Sequence, residues 1–367
     1  MIRLFAVALS LAAPTVLALS LGACASAPRI APAEAVAPVS AAEMAALVGP
    51  DFNGVALLRS DGKPAVTAAL GIANVEQGSA TRTDTPFQIG SMSKWITSVG
   101  VLRLVDRGVL QLDAPIGRWL PQMTASGTQV TLRHLMSNTS GIPNELSAAL
   151  KRDPAAVLQP TSMARAAVLY VGGAPAFIPG SKFDYVPTNW IIVGAILEQV
   201  TGKPFADVLA DEVLRPAGAN ATGVPQSAFD AMPGAARAYG ASVPRVPKMT
   251  PHLNYVAASG TLYSTAGDLA RLAHAVYETA LLSPAARAEL SAVMVADESY
   301  ALGGRVLSMQ LGGRTRLVSS ESGVLGGYKS LLLHVAGEDK TVVLLNNTDM
   351  EQSALAAMGK RLLERLY

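Results

Sequence analysis

The run Phe87-Gln88-Ile89-Gly90-Ser91-Met92-Ser93-Lys94 places a hydroxyl and an amine three residues apart. If the segment opens a helix, the two side chains share a face and the amine can reach the hydroxyl. A serine hydroxyl is a weak nucleophile until a base takes its proton, and a partly desolvated lysine can be that base. A helix start also offers unpaired N–H groups where an oxyanion would form. Ser91 and Lys94 thus have the parts for attack on a carbonyl carbon. Ser60 and Lys63 share the spacing, but Asp61-Gly62 between them is a hairpin-turn signal, so that copy reads as a loop tip. Only the second copy runs on into an apolar helix, through Trp95, Ile96, Val99, Leu102, Leu104 and Val105 to Arg107-Gly108.

The surrounding elements alternate in type. Val55 to Arg59 and Ala65 to Leu70 are apolar runs around a turn and read as a two-stranded hairpin. From Val130 to about Pro251 the periodicity is mostly helical, and Trp190 to Thr201 is a helix stopped by Gly202. Thr265 to Ala280 is another helix, with Asp268 in its first turns. After Tyr300 strands return at Val306 to Leu311, Arg316 to Ser319, Lys329 to Val335 and Thr341 to Asn346, and Ser353 to Leu366 closes as an amphipathic helix. The expected fold is α/β (α+β): a mainly antiparallel sheet flanked by helices, built from both chain ends at about 46–110 and 256–367, with a helical part inserted at about 111–255.

With 367 residues, half of them hydrophobic, the chain can bury a large core. A net charge of +2 gives no basic footprint for nucleic acid. Arg3 followed by the apolar run Leu4 to Leu21 reads as an export signal over residues 1–23. Leu21-Gly22-Ala23-Cys24 resembles a bacterial lipobox, which would make Cys24 a lipidated first residue; the alternative is a chance cysteine in a secretory signal. Cys24 is the only cysteine, so no disulfide can form within the chain. Residues 24–45, rich in Ala and Pro, read as a tether between a membrane anchor and a body at 46–367. The location expected is the cell envelope, periplasm-facing; Ala25 in place of an aspartate after the cysteine favours the outer membrane.

Several separated motifs then agree. Phe87 to Lys94, Leu110-Gln111-Leu112-Asp113-Ala114-Pro115, and Val130-Thr131-Leu132-Arg133-His134-Leu135 running on through Asn138-Thr139-Ser140-Gly141-Ile142-Pro143 occur in order. Gly194 to Phe205 and Gly260 to Leu269 extend the series. The chain resembles the serine β-lactamase and penicillin-binding-protein superfamily, in the branch with class C β-lactamases, D-alanyl-D-alanine peptidases and related esterases, over roughly residues 50 to 350. The resemblance implies a β-lactamase/transpeptidase-like fold and an acyl-enzyme formed on Ser91, with no metal or other cofactor.

The family's second element, Tyr-x-Asn, aligns with Tyr185-Val186-Pro187. The resemblance gives Tyr185 a proton-shuttling role beside Ser91 and Lys94; by position alone it could be an ordinary half-buried aromatic. Pro187 stands where the asparagine would be and cannot donate a hydrogen bond. Asn189 is the candidate substitute for substrate binding, although its offset points to another face. The third element, Lys-Thr-Gly or His-x-Gly, aligns with Glu321-Ser322-Gly323, followed by Val324-Leu325-Gly326-Gly327-Tyr328. Gly323 and the following Gly327-Tyr328 fit the pattern, Ser322 is counted with the substrate-binding residues, and the Val324 backbone N–H is the expected second oxyanion donor. Glu321 replaces a cation that in the family helps hold a substrate carboxylate; a charged Glu321 would repel one. The bland reading of Glu321 is a solvated residue at a strand end.

Other enzyme templates fail. There is no Gly-x-Ser-x-Gly elbow, and His134, His252, His274 and His334 have no metal-ligand spacing. The expectation is an envelope serine hydrolase acting on a small-molecule or cell-wall-derived acyl substrate, with esters or amides first. The alternatives are a peptidoglycan D-Ala peptidase or weak β-lactamase and, in another class, a catalytically weak binding or structural lipoprotein. Oligomeric state is open.

Overall fold

A computed structural model describes residues 39–367 apart from 61, 62, 64 and 251. The export signal, Cys24, the tether up to residue 38 and the Asp61-Gly62 turn lie outside the described residues. The described residues form one compact unit.

Its frame is a six-stranded sheet made from both ends of the chain. The hairpin β1 (Gly54–Arg59) and β2 (Val66–Leu70) joins three late hairpins formed by β3 (Arg305–Leu311), β4 (Arg314–Leu325), β5 (Tyr328–Val335) and β6 (Lys340–Asn346). The order is β2-β1-β6-β5-β4-β3, and every neighbouring pair is antiparallel. The central strands are apolar on both faces because both faces are covered. Ala56, Leu58, Leu331, Leu333, Val342 and Leu344 pack under helices on one side; Val55, Leu57, Leu332, Val343 and Leu345 belong to the main core on the other.

One covering helix lies where a tether was expected. Helix α1 (Ala41–Val48) starts at Ser40, whose hydroxyl accepts from Glu43 N at 3.1 Å. Met44 and Val48, one turn apart, are fully buried against the sheet side shared with the C-terminal helix Gln352–Glu364. The last residues of the expected 24–45 tether are therefore part of the folded body. Two further expectations need correction. Among the described residues between 215 and 253 the only helical piece is a short 3-10 turn at Phe229–Ala231, so the inserted region is less helical than its periodicity suggested. Strand β4 runs to Leu325 rather than stopping at Ser319, which puts Glu321 inside the strand.

Helix α2 (Ser93–Asp106) is buried almost all round, which is why its sequence shows little amphipathic contrast. It shares the main core with the sheet and with helices of the inserted region, and the turn before it meets β4. Within the inserted region, α3 (Thr188–Thr201) ends at Gly202 in the left-handed conformation, φ +68°.

The sheet is tied to the middle of the chain by Asn347, at the end of β6. Its Nδ2 lies within 2.9–3.3 Å of the carbonyls of Ile72, Ala73 and Arg237. Asn53 Nδ2 donates to its Oδ1. Asn347→Ala strands these buried groups and is expected to lower stability by roughly 2–4 kcal/mol, read as a lower urea midpoint at unchanged slope.

Candidate active site

Ser91 stands in a single 3-10 turn, Gly90–Met92, that leads directly into α2. Ser93 Oγ donates to Gly90 O at 2.7 Å and accepts from Leu262 N at 3.2 Å. Ser330 Oγ, from β5, donates to Ile89 O at 2.8 Å. The turn is thus bonded to two parts of the fold distant in sequence.

It is also pressed against β4. Gly90 has φ +54°, and a Cβ there would lie 2.6 Å from Val324 N. A Cβ on Gly323 would lie 1.8 Å from Ile89 O. Only glycine permits such an approach on both sides. Pairing with β3 begins at Arg305 opposite Ser320, so from Glu321 to Leu325 strand β4 pairs with β5 alone. Its other edge borders a cavity of about 310 Å³ whose wall includes Ser91, Tyr185, Glu321, Ser322, Gly323 and Val324. The expected site residues of β4 and the Ser91 turn therefore meet around one space, with the Val324 amide beside the turn.

Lys94 Nζ lies 3.2 Å from Ser91 Oγ and donates to Ser259 O at 2.6 Å. That carbonyl belongs to a π-helical turn, Ala257–Thr261. The wider spacing of a π-turn displaces carbonyls from the usual ladder. Here two of them turn toward α2: Ser259 O meets Lys94, and Ala258 O lies 3.0 Å from Thr97 Oγ1. Lys94 is buried, 3% exposed, and burial pushes its pKa down while the neighbouring Tyr185 phenol acts in the other direction.

Tyr185 is half-exposed, and its ring centre lies 4.9 Å from Lys94 Nζ. It packs edge-on against Tyr300 at 6.1 Å and against Phe183 at 6.3 Å. Pro187, two residues on, caps the start of α3. Asn189 does not enter the cavity, which corrects its assignment to substrate binding. It is fully buried on the core face of α3, accepts from Ser140 Oγ at 2.6 Å and donates to Asn138 Oδ1 at 3.2 Å. Asn138 in turn donates to Tyr300 OH at 2.9 Å. Asn189 thus acts through Asn138 to hold Tyr300.

Glu321 also departs from expectation. It is not a solvated strand-end residue but 3% exposed. Its Oε1 accepts from Ser319 Oγ at 2.8 Å; Ser319 is bonded to Tyr277 OH at 2.7 Å, and Trp95 Nε1 donates to Tyr277 OH at 3.2 Å. Burial pushes the Glu321 carboxyl up to about 8, against the opposing pull of Ser319 and Arg305. At neutral pH the group is mainly the uncharged acid, so the expected repulsion of a substrate carboxylate is absent there. Tyr300, Arg305 and Ser259 were not singled out in the sequence. They lie outside the aligned motifs, and Ser259 contributes only a carbonyl, which no side-chain pattern reveals.

Comparison with known proteins gives the family and the fold. The family model described as Beta-lactamase matches residues 42–365. The chain is 26% identical over 326 residues to penicillin-binding protein 4* of Bacillus subtilis (strain 168), covering 83% of this chain and 71% of that protein. It is 34% identical over 176 residues to esterase EstB of Burkholderia gladioli, covering 45% of each; the match spans less than half of that relative's length. The crystal structure of a penicillin binding protein from Bacillus halodurans superposes with a TM-score of 0.73 at 25% identity, covering 85% of this chain and 96% of that one.

The Glu321 environment has a consequence for stability. Its folded pKa of about 8 exceeds the ordinary 4.5, so the folded state holds a proton that the unfolded state has released between those values. The contribution is fully present below about pH 4.5 and is lost as pH rises toward 8. Glu321→Gln, which cannot ionise, should gain stability over the parent between pH 5 and pH 8, by up to several kcal/mol at ~1.4 kcal/mol per pKa unit. Thermal unfolding at the two pH values checks this.

Proposed function

Since the chain belongs to the Beta-lactamase family of serine hydrolases, we propose that it cleaves esters or amides through an acyl-enzyme on Ser91. The observation that carries this reading is the Lys94 amine 3.2 Å from Ser91 Oγ, buried and anchored from behind by Ser259 O. With the amine neutral, its N–H donates to Ser259 O while its lone pair accepts the Ser91 hydroxyl proton. Ser91 Oγ attacks the substrate carbonyl carbon. The Ser91 and Val324 backbone N–H groups stabilise the oxyanion. Lys94, with Tyr185 beside it, returns the proton to the departing alcohol or amine, and the C–O or C–N bond breaks. Water then attacks the acyl carbon and Ser91 Oγ recovers its proton.

Esters are the first substrates to assay. Similarity to a protein named an esterase supports that choice, and the uncharged state of Glu321 near neutral pH suits uncharged substrates. Turnover of p-nitrophenyl butyrate is expected from the purified protein and should vanish in Ser91→Ala. Tyr185→Phe should lower kcat by about 10²–10⁴ if the phenol moves a proton. Turnover by Ser91→Ala equal to that of the parent would falsify the assignment of the nucleophile.

We propose further that the protein is exported and lipid-anchored through Cys24, in the outer membrane. The support is the charged and apolar leader and the Leu21-Gly22-Ala23-Cys24 sequence. Radiolabelled palmitate should be incorporated in bacterial cells expressing the full chain and not in cells expressing Cys24→Ala. Label on both proteins, or on neither, sinks the anchor.

A further inference from the structure

A serine hydrolase of this family that has lost the cation on β4 needs another means of reading the polar part of its substrate. The residue in that position is Glu321, and its surroundings decide what it can do. Of the hydrogen bonds behind it, the one between Tyr277 OH and Ser319 Oγ can run in either sense, and its neighbours select one. Trp95 Nε1 donates to Tyr277 OH, which leaves the Tyr277 proton for Ser319 Oγ and the Ser319 proton for Glu321 Oε1. Oε1 is thereby an acceptor. The acid proton belongs on Oε2, which has no hydrogen-bond partner among the described residues.

Oε2 lies at the cavity wall beside Gly304. A Cβ on Gly304 would come within 1.9 Å of it, so the absent side chain is what makes room for the carboxyl. Gly304, Glu321, Ser322 and Ser91 line the same cavity. The group is therefore buried from behind, bonded on one oxygen and presented to the site on the other.

We propose that Glu321 reads substrate polarity as a hydrogen-bond donor: Oε2 carries a proton and donates it to an acceptor oxygen of the bound ester or amide, where relatives use a cation. The proposal rests on the serine hydrolase reading above. The substrates implied carry an ester, amide or similar acceptor near the scissile bond. A substrate carboxylate is tolerated only while the proton is in place; once it leaves, two carboxylates face each other across a partly dry site.

The neighbouring groups are consistent with this assignment. From the start of β3, the Arg305 guanidinium lies 5.4 Å from the Tyr300 ring centre, and Nη2 donates to Glu298 Oε2 at 3.2 Å. Its charge is shared with Glu298, and it pulls the Glu321 pKa down without overcoming burial. Tyr300 and Tyr277 are both raised above the usual tyrosine range by burial and remain uncharged phenols. Lys94 sits against Ser91.

The test is a ratio of two substrates. Kinetic constants for 4-acetoxybenzoate, which is anionic, and 4-acetoxybenzamide, its neutral counterpart, are measured from about pH 6 to about pH 9.5. The requirement for Lys94 in turnover is common to both esters, and Glu321→Gln, which keeps Lys94, is the control for any effect of its charge on the ratio of their kcat/KM values. The expected result is a ratio that is level below pH 7 and falls about tenfold across pH 8, equivalent to ~1.4 kcal/mol. In Glu321→Gln, whose amide donates at any pH, the ratio stays level. In Glu321→Lys it rises in favour of the benzoate throughout. A level ratio in the parent, or an equal fall in Glu321→Gln, overturns the proposal while leaving the esterase reading intact. No Ser91-dependent turnover of either ester overturns both.

Discussion

Everything in the site depends on two backbones touching where neither has a side chain. Gly90 in the Ser91 turn and Gly323 on β4 let the turn sit against the strand, with Val324 N beside Gly90 and Ile89 O against Gly323. A single methyl on either residue would force the two apart. The Ser91 turn is local to the start of α2, whereas Val324 belongs to a strand more than 200 residues later. Without this contact the Ser91 hydroxyl and the Val324 amide would lie in separate places. The sheet makes the contact possible by ending the β3–β4 pairing at Ser320, which leaves the β4 edge open to the cavity.

The second constraint is the desolvation of Lys94. An amine buried this deeply needs an acceptor for its N–H, or the cost of burial goes unanswered. The π-turn at Ala257–Thr261 supplies it by turning a main-chain carbonyl, not a carboxylate, toward the amine. The choice of partner matters chemically. A carboxylate would stabilise the ammonium, whereas a neutral carbonyl holds the amine in place while burial favours its uncharged form. Backbone irregularity and side-chain chemistry are thus coupled at this point.

Glu321 illustrates how one position can change meaning with its surroundings. As a sequence symbol it is a negative charge in place of a positive one. In the fold it is a buried carboxyl whose pKa burial raises, joined through Ser319 and Tyr277 to Trp95, with Gly304 left bare beside it. Asn189 underwent a similar change. Two residues past Pro187 it had been a candidate for the missing asparagine; in the fold it braces Asn138 and, through it, Tyr300.

The sequence by itself determined what short-range geometry controls. The spacing of Ser91 and Lys94 on a helix start, the hairpin of β1 and β2, the late strands and the helix stopped at Gly202 were all legible, because helix and strand periods and turn residues are local properties. The ordered motifs carried the family. Tertiary structure alone decided burial, and with it charge. Burial raises the Glu321 pKa to about 8, in a place where Gly304 leaves room for it, and no periodicity records that encounter. The Ser259 carbonyl, the face that Asn189 presents and the end of pairing at Ser320 are likewise set by elements remote in sequence. A residue's type travels with the chain, but its solvation is fixed only when distant segments pack against it.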